Sequence, residues 1–227
     1  MKGIIILSVV PMRKEPSDRS EIVNQVIYGE TFAILEQQEK WSKIRLQHDK
    51  YEGWIDNKQW QLLDKKNKET SQIVHATFIK NQGIFFPAGA LVNFEMNANK
   101  KNLLATAKQF LEVPYLWGGR TVFGIDCSGF TQIVFRIHGI SLLRDAYQQQ
   151  TQGKKVAYKN VQNNDLAFFA NADGKIIHVG IIFLEKNEVK IIHAAGKVRI
   201  DTLSEDGIIN ETSKTRTHQL HSIKRIN

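Results

Sequence analysis

Over the first 63 residues, apolar and polar positions alternate in short stretches. β-rich runs at residues 4–10, 22–27, 31–35, 41–46 and 53–55 are separated by turn-forming clusters such as Glu15-Pro16-Ser17-Asp18 and Tyr28-Gly29-Glu30. Strands this short and this closely spaced predict a small barrel, with Pro11 ending the first run. Residues 64–70 turn polar and charged and read as a solvated linker, and one or two further strands, at 73–79 and 83–86, follow within 71–98, belonging either to the barrel or to the linker. From Asn102 the period changes. Leu103, Leu104, Ala107, Phe110 and Leu111 share a helical face, and that helix stops before Pro114. A second helix follows Cys127, with Phe130, Ile133, Val134 and Ile137 on one face and Gly139 past its end. Strands at 166–169, 176–183, 189–193 and 220–226 come last. Helices first and an antiparallel sheet afterwards is α+β organisation, dividing the chain into 1–63, a linker with extra strands at 64–98, and 99–227.

Composition narrows the class without naming a function. The 227 residues are 42% hydrophobic and 24% charged, with four prolines, as expected of a folded chain. A formal charge of +8 favours anionic partners. Its basic residues, however, lie in small scattered groups such as Lys100-Lys101 and Lys154-Lys155, not interleaved with aromatics, so nucleic acid is not the expected partner. No run approaches the roughly 18 apolar residues of a membrane helix. The apolar run after Lys2 is short for a secretory signal and is followed by Arg13, Lys14 and Glu15, so a buried strand and a cytoplasmic location are expected.

The chemistry concentrates on one cysteine and two histidines. Cys127 is the single cysteine, which excludes an internal disulfide. Within Asp126-Cys127-Ser128-Gly129 it opens the second helix, where free N–H groups and the dipole favour a thiolate and would stabilise an oxyanion. His178 interrupts an apolar strand and His193 ends the next. A hairpin turning at Lys186-Asn187 puts His193 opposite Gly180 and His178 opposite Ala195, both imidazoles on one face, about 7–8 Å apart at Cα. A slip of one residue would separate them. In that register His178 would take the thiol proton and later return it to a leaving amine, with His193 fixing its tautomer. No fourth ligand accompanies the Cys and His residues, so neither a metal nor another cofactor is expected.

Four motifs in order carry a family resemblance: Val113-Pro114-Tyr115-Leu116-Trp117-Gly118-Gly119-Arg120, Asp126-Cys127-Ser128-Gly129-Phe130, Asn164-Asp165-Leu166-Ala167-Phe168-Phe169 and His178-Val179-Gly180-Ile181. Residues 102–227 thereby resemble the NlpC-type cell-wall peptidases, which are papain-like cysteine enzymes. Tyr51-Glu52-Gly53-Trp54-Ile55 resembles a strand of the bacterial SH3-like barrel that precedes this domain in γ-D-glutamyl-L-diamino-acid endopeptidases. The resemblance implies an SH3-like barrel followed by a papain-like α+β domain with helices on an antiparallel sheet. It also implies hydrolysis of the bond between γ-D-Glu and a diamino acid, commonly meso-diaminopimelate, in murein tripeptides or tetrapeptides with a free N-terminal L-Ala.

Carried onto this sequence, the family's nucleophile, base and orienting residue are Cys127, His178 and His193. Asp126 would meet the substrate ammonium, with Tyr51 and Glu21 closing that end. Tyr115 would sit near the oxyanion, Trp117 would line the pocket, and Ser128 would contact ligand. Relatives often carry Arg-Asp-Ser after the catalytic helix. Here Arg144-Asp145-Ala146 keeps Asp145 in place and lacks one hydroxyl. A monomer binding neither membrane nor nucleic acid is expected. Two other readings stay open: a thiol amidase or acyltransferase on a different acyl substrate, and a non-catalytic cell-wall binding module.

Overall fold

A computed structural model describes residues 1–64, 72–96 and 101–226. They fall into two units, Met1–Lys100 with Leu116–Gly124, and Lys101–Tyr115 with Ile125–Asn227. The loop 116–124 thus groups with the first unit, although the chain on either side of it belongs to the second.

In the first unit, β1 (Lys2–Ile4), β2 (Val9–Arg13), β3 (Ile22–Ile27), β4 (Thr31–Gln37), β5 (Trp41–Leu46), β6 (Glu52–Asp56) and β7 (Gln61–Leu62) form an antiparallel sheet in the order β3-β2-β6-β5-β4-β1-β7. Alternation drives it: Val10 and Met12 from β2 and Ile44 and Leu46 from β5 turn inward onto Phe32, Val26 and Ile55. A Cβ on Gly53 would lie 2.5 Å from the Met12 side chain, so only glycine admits β6 this close to the core. The run expected as one strand over residues 4–10 is two. The chain turns between β1 and β2 with Leu7 exposed, and Pro11 lies inside β2 opposite Gln25.

The segment after 71, given no partner from sequence, belongs to this unit. The single strand expected at 73–79 is two short ones. β8 (Gln72–Ile73) pairs with β11 (Leu91–Val92), and β9 (Phe78–Asn81) pairs with β10 (Ile84–Pro87). Val74, Phe86, Ala90 and Val92 pack a small core against Tyr28. The expected linker at 64–70 lies, apart from Asp64, outside the described residues.

Loop 116–124, which carries β12 (Arg120–Thr121) and the first residue of β13 (Gly124–Ile125), is held by a buried ion pair. The Arg120 guanidinium donates from both terminal nitrogens to the Glu30 carboxylate, at 3.0 and 2.9 Å, and to the Gln25 carbonyl at 2.8 Å. Both side chains are almost wholly buried. Removing Arg120 leaves the buried Glu30 charge without its guanidinium, with the Ile27 N–H and His48 still near it, so Arg120→Ala is expected to cost about 3–5 kcal/mol of stability by chemical denaturation. The double variant Arg120→Met with Glu30→Gln is expected to recover much of that loss.

The second unit opens with α1 (Leu103–Lys108), capped by Asn102, whose side chain accepts from the Ala105 N–H. It is shorter than the apolar face predicts, and Leu111 beyond it is exposed. α2 (Cys127–Ile137) is buried along nearly its whole length and ends at Gly139, which takes φ +78°. α3 (Ala146–Gln149) and β14 (Lys154–Val156) follow. Then β15 (Leu166–Ala170), β16 (Ile176–Glu185), β17 (Glu188–Ala195), β18 (Lys197–Ser204), β19 (Gly207–Ile209) and β20 (Arg216–Arg225) pair antiparallel in sequence. β20 also pairs with β15, closing a six-stranded barrel, with β14 added outside β20. Ala167, Phe169, Ile182, Ile191, Leu203, Ile208 and Ile223 form one core cluster of this sheet. α2 packs against β16 and β17. The expected α+β domain with helices on an antiparallel sheet is present, its sheet closed on itself.

Candidate active site

The hairpin β16–β17 has the register read from sequence: Ile181 faces Ile192, and Glu185 faces Glu188 across Lys186-Asn187, both at positive φ. One step further along, a Cβ on Gly180 would lie 2.8 Å from the His193 Cβ, so glycine leaves the room the rings occupy. His178 and His193 therefore meet. Their rings are 5.0 Å apart at an 81° angle, with Nε2 of His178 2.7 Å from Nδ1 of His193. Both are buried.

β18 adds what the sequence reading missed. Arg199 faces His193 directly, and Asp201, two residues on, presents Oδ2 2.9 Å from His193 Nε2. Burial pushes the Asp201 carboxyl up, but hydrogen bonds from His193, Arg199 and the Glu211 N–H outweigh it and hold the group below the usual carboxylate range. An ionised carboxylate only accepts, and this fixes the protons along the line. His193 carries its proton on Nε2, its Nδ1 accepts from His178 Nε2–H, and His178 keeps a lone pair on Nδ1.

Cys127 starts α2 with Asp126 as N-cap, the Asp126 carboxylate accepting from the Gly129 N–H at 2.6 Å. The Val179 and Ser128 backbone N–H groups act on its sulfur, which sets the thiol against β16 beside His178. Sequence suggested a lowered thiol pKa. Here burial, followed by the Asp126 charge, outweighs those N–H groups and Arg144 and pushes it up to about 12. His178 moves the other way. Burial, then His193 and His218, hold it well below the ordinary imidazole value. The resting pair is thus a thiol and a neutral imidazole.

The remaining residues named from sequence separate between the units. In the second, Arg144 donates to both Asp126 oxygens and to Ser128 Oγ at 3.0 Å, so Asp126 is neutralised within the fold. Tyr115 is half-buried, its backbone N–H bonded to the Gly196 carbonyl. Burial, then the Cys127 and Asp126 charges, push its phenol above the usual range, so it stays protonated and able to donate. Asp145 caps α3 in a capping box with Gln148. Asp165 of the third motif is structural, taking bonds of 2.8 Å from both Nε and a terminal nitrogen of Arg225. In the first unit, Glu21 accepts from Trp117 Nε1 at 2.7 Å, and Tyr51 packs against the barrel core. Among the described residues no group of three or more His, Cys, Asp or Glu side chains is disposed to hold a metal ion, and no helix is long and apolar enough to cross a membrane.

Comparison with known proteins finds two domain matches, the C-terminal one running through loop 116–124. Residues 112–217 match the NlpC/P60 family and residues 12–59 match the bacterial dipeptidyl-peptidase Sh3 domain. A gamma-D-glutamyl-L-lysine dipeptidyl-peptidase of Bacillus cereus is 35% identical over 61% of this chain and 41% of its own length. Dipeptidyl-peptidase 6 of Lysinibacillus sphaericus is 23% identical over 90% of this chain and 93% of its own. The chain spans less than half of the Bacillus relative's length. A crystal structure of an NlpC/P60 family protein from Bacillus cereus shares the fold, with a TM-score of 0.81 over 99% of both chains at 19% identity. The chain therefore joins a bacterial SH3 domain to a domain of the NlpC/P60 peptidase family.

Proposed function

We propose that the chain is a cysteine endopeptidase that hydrolyses the bond between γ-D-glutamate and a diamino acid in murein peptides with a free N-terminal L-alanine. The observation that carries this reading is the line His178–His193–Asp201 ending beside Cys127, together with relatives named for γ-D-glutamyl substrates. His178 Nδ1 takes the Cys127 proton as sulfur attacks the γ-carbonyl carbon. N–H groups at the start of α2 and the Tyr115 hydroxyl are the donors for the oxyanion. Collapse breaks the C–N bond, and His178 returns its proton to the departing amine, leaving a thioester on Cys127. Water, deprotonated by His178, releases L-Ala-D-Glu and restores the thiol.

Within the second unit, the contacts the resemblance implies are Asp126 for the ammonium, which it would meet while paired with Arg144, and Ser128 for the ligand. A monomer working in the cytoplasm on recycled peptides fits this reading. The test is a matched pair of L-Ala-γ-D-Glu-diaminopimelate peptides, one with a free and one with an acetylated N-terminus. Acetylation removes the charge Asp126 would read, and kcat/KM is expected to fall by roughly 10²-fold or more. Equal cleavage of both, or none of the free peptide with either diaminopimelate or lysine, contradicts the proposal.

A further inference from the structure

We propose that His218 is a positioning residue for the base, its ring stacked on His178 so that the plane of the imidazole, and with it the direction of Nδ1, is fixed. This rests on the peptidase reading for its consequence but not for its geometry. The His218 and His178 rings lie 4.3 Å apart at 25°, a face-to-face stack. The Phe169 ring packs 5.8 Å from His178 and 5.9 Å from His218, and His193 stands edge-on to both histidines.

A bulge delivers His218 there. β20 pairs Ser222 with Phe168 and Leu220 with Phe169, one residue extra on the β20 side. The slip moves the inward parity of β20 from Ile223 to Leu220, and so to His218 two residues on. On the facing strands, Phe169 lies opposite both Leu220 and His178.

The stack has a chemical use. His193 anchors His178 at one atom, Nε2, which leaves the ring able to rock about that bond; a second ring against its face removes the freedom. When His178 accepts the thiol proton, the imidazolium lies against the π face of a neutral ring, an attractive arrangement that a charged His218 would reverse. His218 is half-buried, with Nδ1 2.9 Å from Thr217 Oγ1. Burial first, then His193, lower it to about 4 against a smaller opposing pull from Asp201, so it is neutral at working pH. The groups facing His178 are then Phe169 from β15, His193 from β17 with Asp201 and Arg199 of β18 behind it, and His218 from β20, with the Cys127 sulfur of α2 at the N–H of the next residue, Val179.

The experiment compares His218→Ala and His218→Phe with the unaltered chain in two readouts. One is kcat and KM on the γ-D-glutamyl peptide. The other is the pH dependence of iodoacetamide alkylation of Cys127, the only thiol, which needs no knowledge of the substrate. Alanine is expected to lower kcat and the alkylation rate at pH 7 roughly threefold to tenfold with KM unchanged, and to raise the acid limb toward the ordinary imidazole range. Phenylalanine, which keeps the flat face, is expected to restore both rates to within about threefold and keep the acid limb low. An alanine variant that lowers the unfolding midpoint but leaves both rates and the pH profile intact overturns the proposal. So does a phenylalanine variant as slow as alanine. If the alanine chain does not fold, a tenfold loss in the phenylalanine variant overturns it alone. Loss of the peptidase reading would instead appear as no peptide turnover with the alkylation differences still present.

Discussion

Cys127→Ala is expected to remove peptide hydrolysis, lowering kcat/KM by on the order of 10⁴-fold or more, while the protein folds as before. The side chain is small and buried at the first turn of α2, and the cap that holds that turn comes from Asp126 and Arg144 rather than from sulfur. Alanine therefore deletes the nucleophile without opening the helix. Mass spectrometry of the free peptide after prolonged incubation checks this. Product from the alanine variant would assign the chemistry to another group.

Asp201→Asn is expected to lower kcat by about 10²- to 10⁴-fold with little change in KM, although Asp201 lies two residues removed from the thiol. The reason is directional. Oδ1 of Asp201 accepts from a terminal nitrogen of Arg199 and from the Glu211 N–H, both at 2.8 Å, whereas Oδ2 lies 2.8 Å from Arg199 Nε and 2.9 Å from His193 Nε2, so an asparagine that keeps its oxygen on the two donors at Oδ1 turns its NH2 toward His193. His193 Nε2 then has to accept, its proton moves to Nδ1, and His178 is left with its proton on Nδ1, facing the thiol with no lone pair. Steady-state kinetics and thiol alkylation should fall together. In the unaltered enzyme the neutral form of His178 is the active one, and its pKa is lowered by burial, His193 and His218. Activity should therefore persist below pH 6.5 and be lost only as pH falls through that lowered value.

The sequence exposed the part of this site that follows regular periods. The β16–β17 register could be read because a two-residue turn at Lys186-Asn187 sits between clean apolar runs, and that register alone brought the two imidazoles together. Asp201 and His218 escaped for identifiable reasons. Lys197–Ser204 buries Val198, Asp201 and Leu203, a spacing of three then two, so no strand was expected there. β20 was expected to begin at 220, and a bulge reverses its parity before His218, which strand periodicity does not encode. The thiol was misjudged for a different reason. Sequence reveals a helix N-terminus but not the burial, and desolvation of a thiolate outweighs the N–H groups that favour it. In the first unit, strands at 22–27 and 41–46 fell where alternation put them, whereas Pro11 was taken as a stop, although proline fits wherever a strand asks no N–H of it.

The measurement that bears most directly on the whole account is intact-protein mass spectrometry of enzyme acid-quenched during turnover of the free tripeptide. The account predicts a transient L-Ala-D-Glu acyl adduct, mapped by digestion to the peptide containing Cys127 and absent in Cys127→Ala. Steady product formation with the adduct on another residue, or with an alanine variant that still turns over, would contradict it.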